Sequence, residues 1–219
     1  MYRDIVYNVR AVATALALIV FTITPTAQNA SYTGITAIDE HRLFSPHPGK
    51  TILFLSPGWN LLSIPVVLYN TSITYVLKPI EGSYDTVLYF DSSETVDNWK
   101  VFKPGKPLGN TLNRIDHKMG FWIYITKNAT LSYNGTIPTS TVIALKAGWN
   151  LIGYPSIKNR TVSELFFNCP MNLDYEVYRF DSNSPHSLKR MSRTGEVLSM
   201  GMGYWVRVTN ECSLTIHWS

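Results

Sequence analysis

The chain has 219 residues, of which 45% are hydrophobic and only 16% are charged. This hydrophobic fraction is enough to build cores, which excludes a globally disordered chain, and the length fits one large domain or two small ones. The formal net charge of +4 is spread thinly, without the Lys/Arg runs of a phosphate-binding surface, so we expect no nucleic-acid partner.

Residues 1–30 have the order of a secretory leader. Arg3 and Arg10 precede an apolar run that ends at Thr24, and small residues follow it. The run of about 14 residues is shorter than the roughly 20 of a membrane-spanning helix, which favours a cleaved signal peptide over an uncleaved signal anchor. Either alternative places the body of the chain outside the membrane, so the membrane is a partner only through this segment, if it is uncleaved.

An internal duplication is the most informative feature of the sequence. Thr51–Pro65 (TILFLSPGWNLLSIP) matches Thr141–Pro155 (TVIALKAGWNLIGYP), and two later pairs of blocks keep the same order, YDTVLYFD with YEVYRFD and GFWIYI with GYWVRV. The sequence therefore predicts two tandem homologous modules, module 1 at 51–135 and module 2 at 141–219, the first with about seven extra residues in a loop. Residues 31–50 would form an N-terminal arm or linker that could pack on a neighbouring molecule.

The sequence of each module predicts the same series of short strands with one short helix. A strand passes through a Gly into Trp-Asn-Leu, which indicates a strand, a bend and a second strand that ends at a proline. A short helix follows, with Thr161 and Glu164 as a capping box in module 2 but no such box in its counterpart Ser72–Leu77. An alternating strand and a last short strand close each module. The predicted fold class is mainly β (β-rich α+β), with a small antiparallel sheet or sandwich and one short helix per module.

The alternating closing strand has two faces. Phe121, Ile123 and Ile125 fall on a core face, while the other face carries Trp122 and Tyr124, to which Trp205 and Arg207 correspond in module 2. Because Arg207 lies beside Trp205, we expect this second face to be partly wet.

Aromatic residues support two alternative interpretations. Exposed flat rings can stack on sugars, so Trp122, Tyr124 and Trp205 could form a glycan platform. The alternative is that indoles kept in both modules are core anchors, and this is the role that we expect for Trp59 and Trp149.

The Gly58–Pro65 block (GWNLLSIP), followed by GFWI from Gly120, resembles a repeat of archaeal and bacterial surface proteins with the pattern GWNLIS-P … GYWI. Module 2 resembles it through GWNLIGYP and GYWV. The resemblance implies an exported prokaryotic protein, archaeal by preference, in a cell-surface or extracellular structural setting. It implies neither a ligand nor catalysis.

The chain has two cysteines, Cys169 and Cys212, both in module 2. The internal alignment places them at the positions of Ile80 and Ala129, which suggests that they are neighbours in the fold. In an exported protein a disulfide is the expected state, and it would add roughly 4 kcal/mol by closing a loop of about 44 residues. Two buried free thiols are the alternative.

Five Asn-x-Ser/Thr sequons predict glycosylation of a surface-exposed chain. Chance alone would give roughly three in a chain so rich in Asn, Ser and Thr, so the excess is mild. The sequons begin at Asn29, Asn70, Asn128, Asn134 and Asn159.

No constellation of catalytic or metal-binding residues stands out. Asp91 and Asp181 recur after equivalent strands, where turn capping is the expected role. The histidines are scattered without metal-ligand spacing; they are His41, His47, His117, His186 and His217. We therefore expect no enzyme activity, no metal and no cofactor.

The function that the sequence predicts is that of a secreted structural or interaction protein, a subunit or decoration of a cell envelope, filament or other surface assembly. Its partners would be other surface proteins or copies of itself. A carbohydrate-binding adhesin, with glycans as ligands, is the main alternative, and a secreted hydrolase with an unrecognised site is a third.

Overall fold

The computed structural model describes residues 50–106, 108–170, 174–181 and 188–219. The predicted leader, the N-terminal arm up to residue 49, and Asn29, His41, His47 and His186 lie outside the described residues. Within the described ranges, no helix is long and apolar enough to cross a membrane.

The described residues of module 1 form six strands and two short helical segments. The strands are β1 (Lys50–Leu55), β2 (Gly58–Ser63), β3 (Tyr84–Phe90), β4 (Trp99–Phe102), β5 (Gly120–Ile125) and β6 (Ala129–Asn134). Between β2 and β3 lie helix α1 (Ile73–Val76) and a 3-10 helix (Lys78–Ile80).

Module 2 repeats the strands and the α-helix, has no 3-10 helix among its described residues, and adds one short strand pair. Its strands are β7 (Ser140–Leu145), β8 (Gly148–Gly153), β9 (Arg160–Thr161), β10 (Tyr175–Phe180), β11 (Leu188–Arg190), β12 (Val197–Leu198), β13 (Gly203–Val208) and β14 (Cys212–His217). Helix α2 (Val162–Leu165) follows β9.

The strand order is the same in both modules. A four-stranded antiparallel sheet has the order β2-β5-β3-β4 in module 1 and β8-β13-β10-β11 in module 2. A two-stranded antiparallel sheet pairs the first and last strands, β1 with β6 and β7 with β14, and module 2 also pairs β9 with β12. The predicted fold class, mainly β with antiparallel sheets and few helices, is confirmed.

The Gly-Trp-Asn block forms the bend between the first two strands of each module. Gly58 and Gly148 have φ angles of 104° and 100°, a region that side-chain-bearing residues rarely adopt. The buried amides of Asn60 and Asn150 then donate across the bend to backbone carbonyls, Asn60 to Ser56 at 2.9 Å and Asn150 to Lys146 at 2.8 Å. Glycine therefore allows the turn and asparagine closes it.

The two short helices begin differently, as the sequence predicted. In α2, the backbone N–H of Glu164 donates to the Thr161 hydroxyl at 3.3 Å, and the Thr161 N–H donates to the Glu164 carboxylate at 2.7 Å. This arrangement is the expected capping box. In α1, the Ser72 side chain makes no cap hydrogen bond.

Each module has its own apolar core between its two sheets. In module 1 the predicted core face of β5 packs with the inward side chains of β1 and β6 and with α1; Phe121, Ile123, Leu131 and Leu77 are fully buried there. In module 2 the equivalent core contains Tyr204, Val206 and Leu214. Each four-stranded sheet is thus covered on one face by its own module.

Candidate functional site

The second faces of the two four-stranded sheets pack against each other. They form a third apolar core, which we call the shared aromatic core. Its buried members are Leu61, Phe90, Trp122, Leu151 and Trp205, and partly buried residues pack around them: Trp59, Leu88, Tyr89, Trp99, Trp149, Tyr178, Phe180 and Leu188.

Contacts across the shared aromatic core are reciprocal. Phe90 of module 1 lies 5.2 Å from Trp205 of module 2, and the equivalent Phe180 lies 5.1 Å from the equivalent Trp122, measured between ring centroids. Each central indole also meets a tryptophan of its own module edge to face, Trp59 with Trp122 at 6.2 Å and Trp149 with Trp205 at 6.0 Å. This reciprocity is that of a two-fold interface, here formed inside a single chain.

Backbone contacts show the same symmetry. The Ser63 N–H donates to the carbonyl of Gly201 at 2.9 Å, and the equivalent Gly153 N–H donates to the carbonyl of Lys118 at 2.8 Å. Two isolated antiparallel bridges, Leu62 with Met202 and Ile152 with Met119, flank these bonds.

The glycines that open the closing strands lie where the two modules cross. A Cβ on Gly120 would lie 2.3 Å from the carbonyl oxygen of Ile152, and one on Gly203 would lie 2.8 Å from that of Leu62. Each first glycine of GFWI and GYWV therefore permits the backbone of the other module to approach.

The predicted glycan platform is wrong for both of its tryptophans. Trp122 is 6% exposed and Trp205 is 1% exposed, because the other module covers the face that we expected to be wet. Tyr124 is half-buried, with its ring 5.3 Å from that of Trp59. Neither tryptophan of the predicted trio therefore presents an open face of the kind that sugar stacking needs.

The predicted core anchors, Trp59 and Trp149, are less buried than the sequence suggested. Trp59 and Trp149 occupy matching positions, but both are only half-buried at the edge of the shared aromatic core. Their neighbours Trp122 and Trp205 are the central anchors. The indole nitrogens of Trp99 and Trp205 make no hydrogen bond within the part of the chain that the structure describes, so these rings act through apolar contact.

Arg207, which suggested a wet face, lies at the rim of the shared aromatic core. It pairs with Trp149 in the strand register, and its guanidinium lies 3.8 Å from the carboxylate of Glu176. Arg190 contacts the same carboxylate at 3.0 Å. The charged residues therefore border the aromatic rings without exposing them.

The titratable groups near the interface are shifted by burial. Desolvation lowers the pKa of His117, whose backbone carbonyl faces Gly153. Desolvation also raises the pKa of the Tyr89 hydroxyl far above its usual range, with a smaller contribution from the Asp91 charge. Both shifts favour the neutral form, because burial disfavours the charged form of each group.

Among the described residues, no group of three His, Cys, Asp or Glu side chains could hold a metal ion. Asp91 accepts hydrogen bonds from the backbone N–H and the hydroxyl of Ser93, at 3.0 and 2.6 Å, which is the turn-capping role that the sequence predicted for it. Asp181, at the equivalent position of module 2, forms an ion pair with Arg179 at 3.6 Å.

The predicted disulfide is present. Cys169 and Cys212 are bonded, with their Cα atoms 5.9 Å apart, and the bond joins the segment after α2 to the start of β14. In module 1 the corresponding Ile80 and Ala129 pack in the core. A covalent bond in one module therefore takes the place of an apolar contact in the other.

All four sequon asparagines within the described residues are exposed; they are Asn70, Asn128, Asn134 and Asn159. Exposure makes each of them accessible for modification. None lies in the shared aromatic core.

No family model matches the chain, and neither a curated protein nor a solved structure is significantly similar to it. The fold and the interface define its class, a β protein made of two duplicated modules that share a reciprocal aromatic core.

Proposed function

We propose that this chain is an exported structural or interaction protein, a subunit or decoration of a prokaryotic cell envelope, filament or other surface assembly, and archaeal by preference. The observation that carries the proposal is the Cys169–Cys212 disulfide, because such bonds persist in oxidising, extracytoplasmic environments. The leader-like order of residues 1–30 supports export as well.

The interface supports a structural role. The rings of the shared aromatic core pack between the two modules. We infer that they hold the modules together and do not bind a ligand. A shared core of this kind makes a stiff body of two modules, and its outer surfaces are left to meet other surface proteins or copies of the same chain.

The alternative is a carbohydrate-binding adhesin. It required Trp122 and Trp205 to be exposed for stacking on sugars, and both are buried. We do not favour it over the structural role. Among the described residues, no group of three His, Cys, Asp or Glu side chains could hold a metal ion, and we do not propose an enzymatic function.

Fractionation of the native cells tests the proposal. We expect the protein in the envelope, in filaments or in the medium, with the disulfide intact by mass spectrometry under non-reducing conditions. A cross-linking pull-down from the surface should recover copies of the chain or another surface protein. Recovery from the cytosol with two free thiols would overturn the proposal, and a strict monomer outside the cell without any partner would overturn its assembly part.

A further inference from the structure

The outer two-stranded sheet of module 1 carries an apolar strip on its outward face. Along β1, Leu53 and Leu55 point into the core, while Phe54 is 64% exposed and Ile52 is half-buried. Side chains alternate along a strand, so Ile52 and Phe54 lie on one face. We call these two residues the outer strip.

Strand β6 completes this outward face with polar residues. Its inward residues Leu131 and Tyr133 are buried, whereas Thr130 and Asn134 are exposed. In the register Phe54 lies opposite Thr130 and Ile52 opposite Ser132. The outer strip is therefore bordered along its length by hydroxyl-bearing side chains.

Two of the four described sequons bracket the outer strip. Asn134 closes β6 on the outward face, one diagonal step from Ile52, a separation of about 7 Å in an antiparallel pair. Asn128 lies just before β6, at the other end of the strip, and its sequon threonine is Thr130, which faces Phe54. Both asparagines are exposed.

Module 2 provides an internal comparison for this face. The internal alignment places Ala144 at the position of Phe54, and Glu211 and His217 at the positions of Asn128 and Asn134. The module that lacks the exposed aromatic ring thus lacks both sequons of its outer sheet. Module 1 thus has the exposed ring and both sequons, and module 2 has none of the three, although Val142 at the position of Ile52 is 50% exposed.

We propose that Asn128 and Asn134 carry N-linked glycans and that these sugars cover the outer strip, with Phe54 as their main contact. An exposed aromatic ring presents an apolar surface on which the CH groups of a sugar can pack, and covering it removes an adhesive patch. The inference rests on the proposed export, because the sugar donor is available outside the cytoplasm.

The modification is a substitution at the anomeric carbon of a lipid-linked sugar phosphate. The side-chain amide nitrogen of asparagine forms a C–N bond to that carbon, the carbon–oxygen bond to the phosphate breaks, and the lipid phosphate leaves with its electron pair. The amide gives up one proton, which passes to solvent. A lipid-linked sugar phosphate is thus the only co-reactant needed.

Glycopeptide mass spectrometry of the native, full-length protein is the first test. We expect sugar on Asn128 and Asn134. Exported protein in which both asparagines are bare would overturn the inference while leaving the proposed function intact. Protein retained in the cytosol with free thiols would instead overturn the proposed function, and the inference with it.

Variants of the full-length protein, secreted from a host that N-glycosylates exported chains, test the covering of the strip. We expect the Asn128→Gln/Asn134→Gln variant to bind a hydrophobic dye and to lose its monomer peak in size-exclusion chromatography. Adding Phe54→Ser should restore the monomer peak. Asn159→Gln is the matched control, since it removes a sequon of module 2. It should change neither the dye binding nor the monomer peak.

Two results would contradict the covering of Phe54. One is a double Gln variant that stays monomeric and dye-free, and the other is a double Gln variant that self-associates equally with and without Phe54→Ser. Co-purification of a protein that contacts Phe54 on a chain with bare asparagines would assign the strip to a protein partner and overturn the inference.

Discussion

At the residue scale, the four tryptophans shared by the two modules divide into two environments. Trp122 and Trp205 are central to the shared aromatic core, whereas Trp59 and Trp149 are half-buried at its edge. Removing a buried aromatic side chain costs its transfer free energy together with the cavity that is left. The two pairs should therefore differ strongly in their contributions to stability.

We expect Trp205→Ala to lower the free energy of unfolding by about 3–5 kcal/mol and Trp149→Ala to lower it by clearly less. Trp205 also contacts Phe90 and Trp99 of module 1, so its loss leaves a cavity between modules. Urea denaturation followed by circular dichroism measures both values. A larger loss for Trp149→Ala would contradict the assignment of the central anchor.

A second prediction at the residue scale concerns Gly120. A methyl group there would lie far inside contact distance of the Ile152 carbonyl, so the modules would have to move apart. We expect Gly120→Ala to destabilise the protein by about 1–3 kcal/mol, the range of overpacked sites. Gly195→Ala is the control, since its new methyl meets mainly the Ser192 side chain, which can move. Equal unfolding midpoints for the two variants would disprove the crowding.

At the element scale, the two short helices differ in how they begin. The Thr161 hydroxyl caps α2 whereas Ser72 caps nothing. We expect Thr161→Ala to cost about 1 kcal/mol of unfolding free energy and Ser72→Ala to cost almost nothing. Chemical denaturation of both variants against the parent measures the difference, and a Ser72→Ala loss as large as that of Thr161→Ala would refute it.

The disulfide can be tested by converting module 2 to the residues of module 1. The variant Cys169→Ile/Cys212→Ala copies the apolar pair of module 1, Ile80 and Ala129. We expect it to fold but to lose part of the roughly 4 kcal/mol that closing the loop contributes, while Cys169→Ser/Cys212→Ser should lose more because it adds buried hydroxyls. Thermal unfolding ranks the two variants, and the reverse order would show that packing at this site is unimportant.

Much of the element scale could be predicted from the sequence because its signals are local. The strand bends at Gly58 and Gly148, the capping box at Thr161 and the core face of β5 each depend on residues a few positions apart. The disulfide could be predicted because the internal alignment placed the two cysteines at the positions of an apolar pair in module 1, which indicated that they are close in space. Exposure of the sequon asparagines also follows from their place in turns and at strand ends.

The shared aromatic core could not be predicted in the same way. Alternation assigns Trp122 and Trp205 to one face of a strand, but it does not say which element covers that face. Arg207 suggested water there, whereas it lies at the rim beside Glu176. The duplication does contain an indication of this interface. Aromatic residues lie on the second face of the sheet in both modules, and a reciprocal interface between the two copies requires such residues.

At the scale of the whole molecule, the shared aromatic core predicts that the two modules unfold together. Neither four-stranded sheet can keep its second face dry without the other, because opening the interface would expose Trp122, Trp205 and Phe90 at once. Backbone hydrogen bonds from Ser63 and Gly153 across the interface would break in the same step. The coupling between modules should therefore be strong compared with their separate stabilities.

We expect one calorimetric transition whose calorimetric and van't Hoff enthalpies agree. The Trp205→Ala substitution, made in module 2, should lower hydrogen-exchange protection in β5 of module 1 as much as in β13 of module 2, because both strands lose the same packed surface. Cys169→Ile/Cys212→Ala, which alters module 2 away from the interface, should also lower protection in both strands, because modules that unfold together share one free energy of unfolding. Two separate transitions, or a loss of protection confined to module 2 in Trp205→Ala, would mean that the modules are independent domains and that the reciprocal core is not what holds the molecule together.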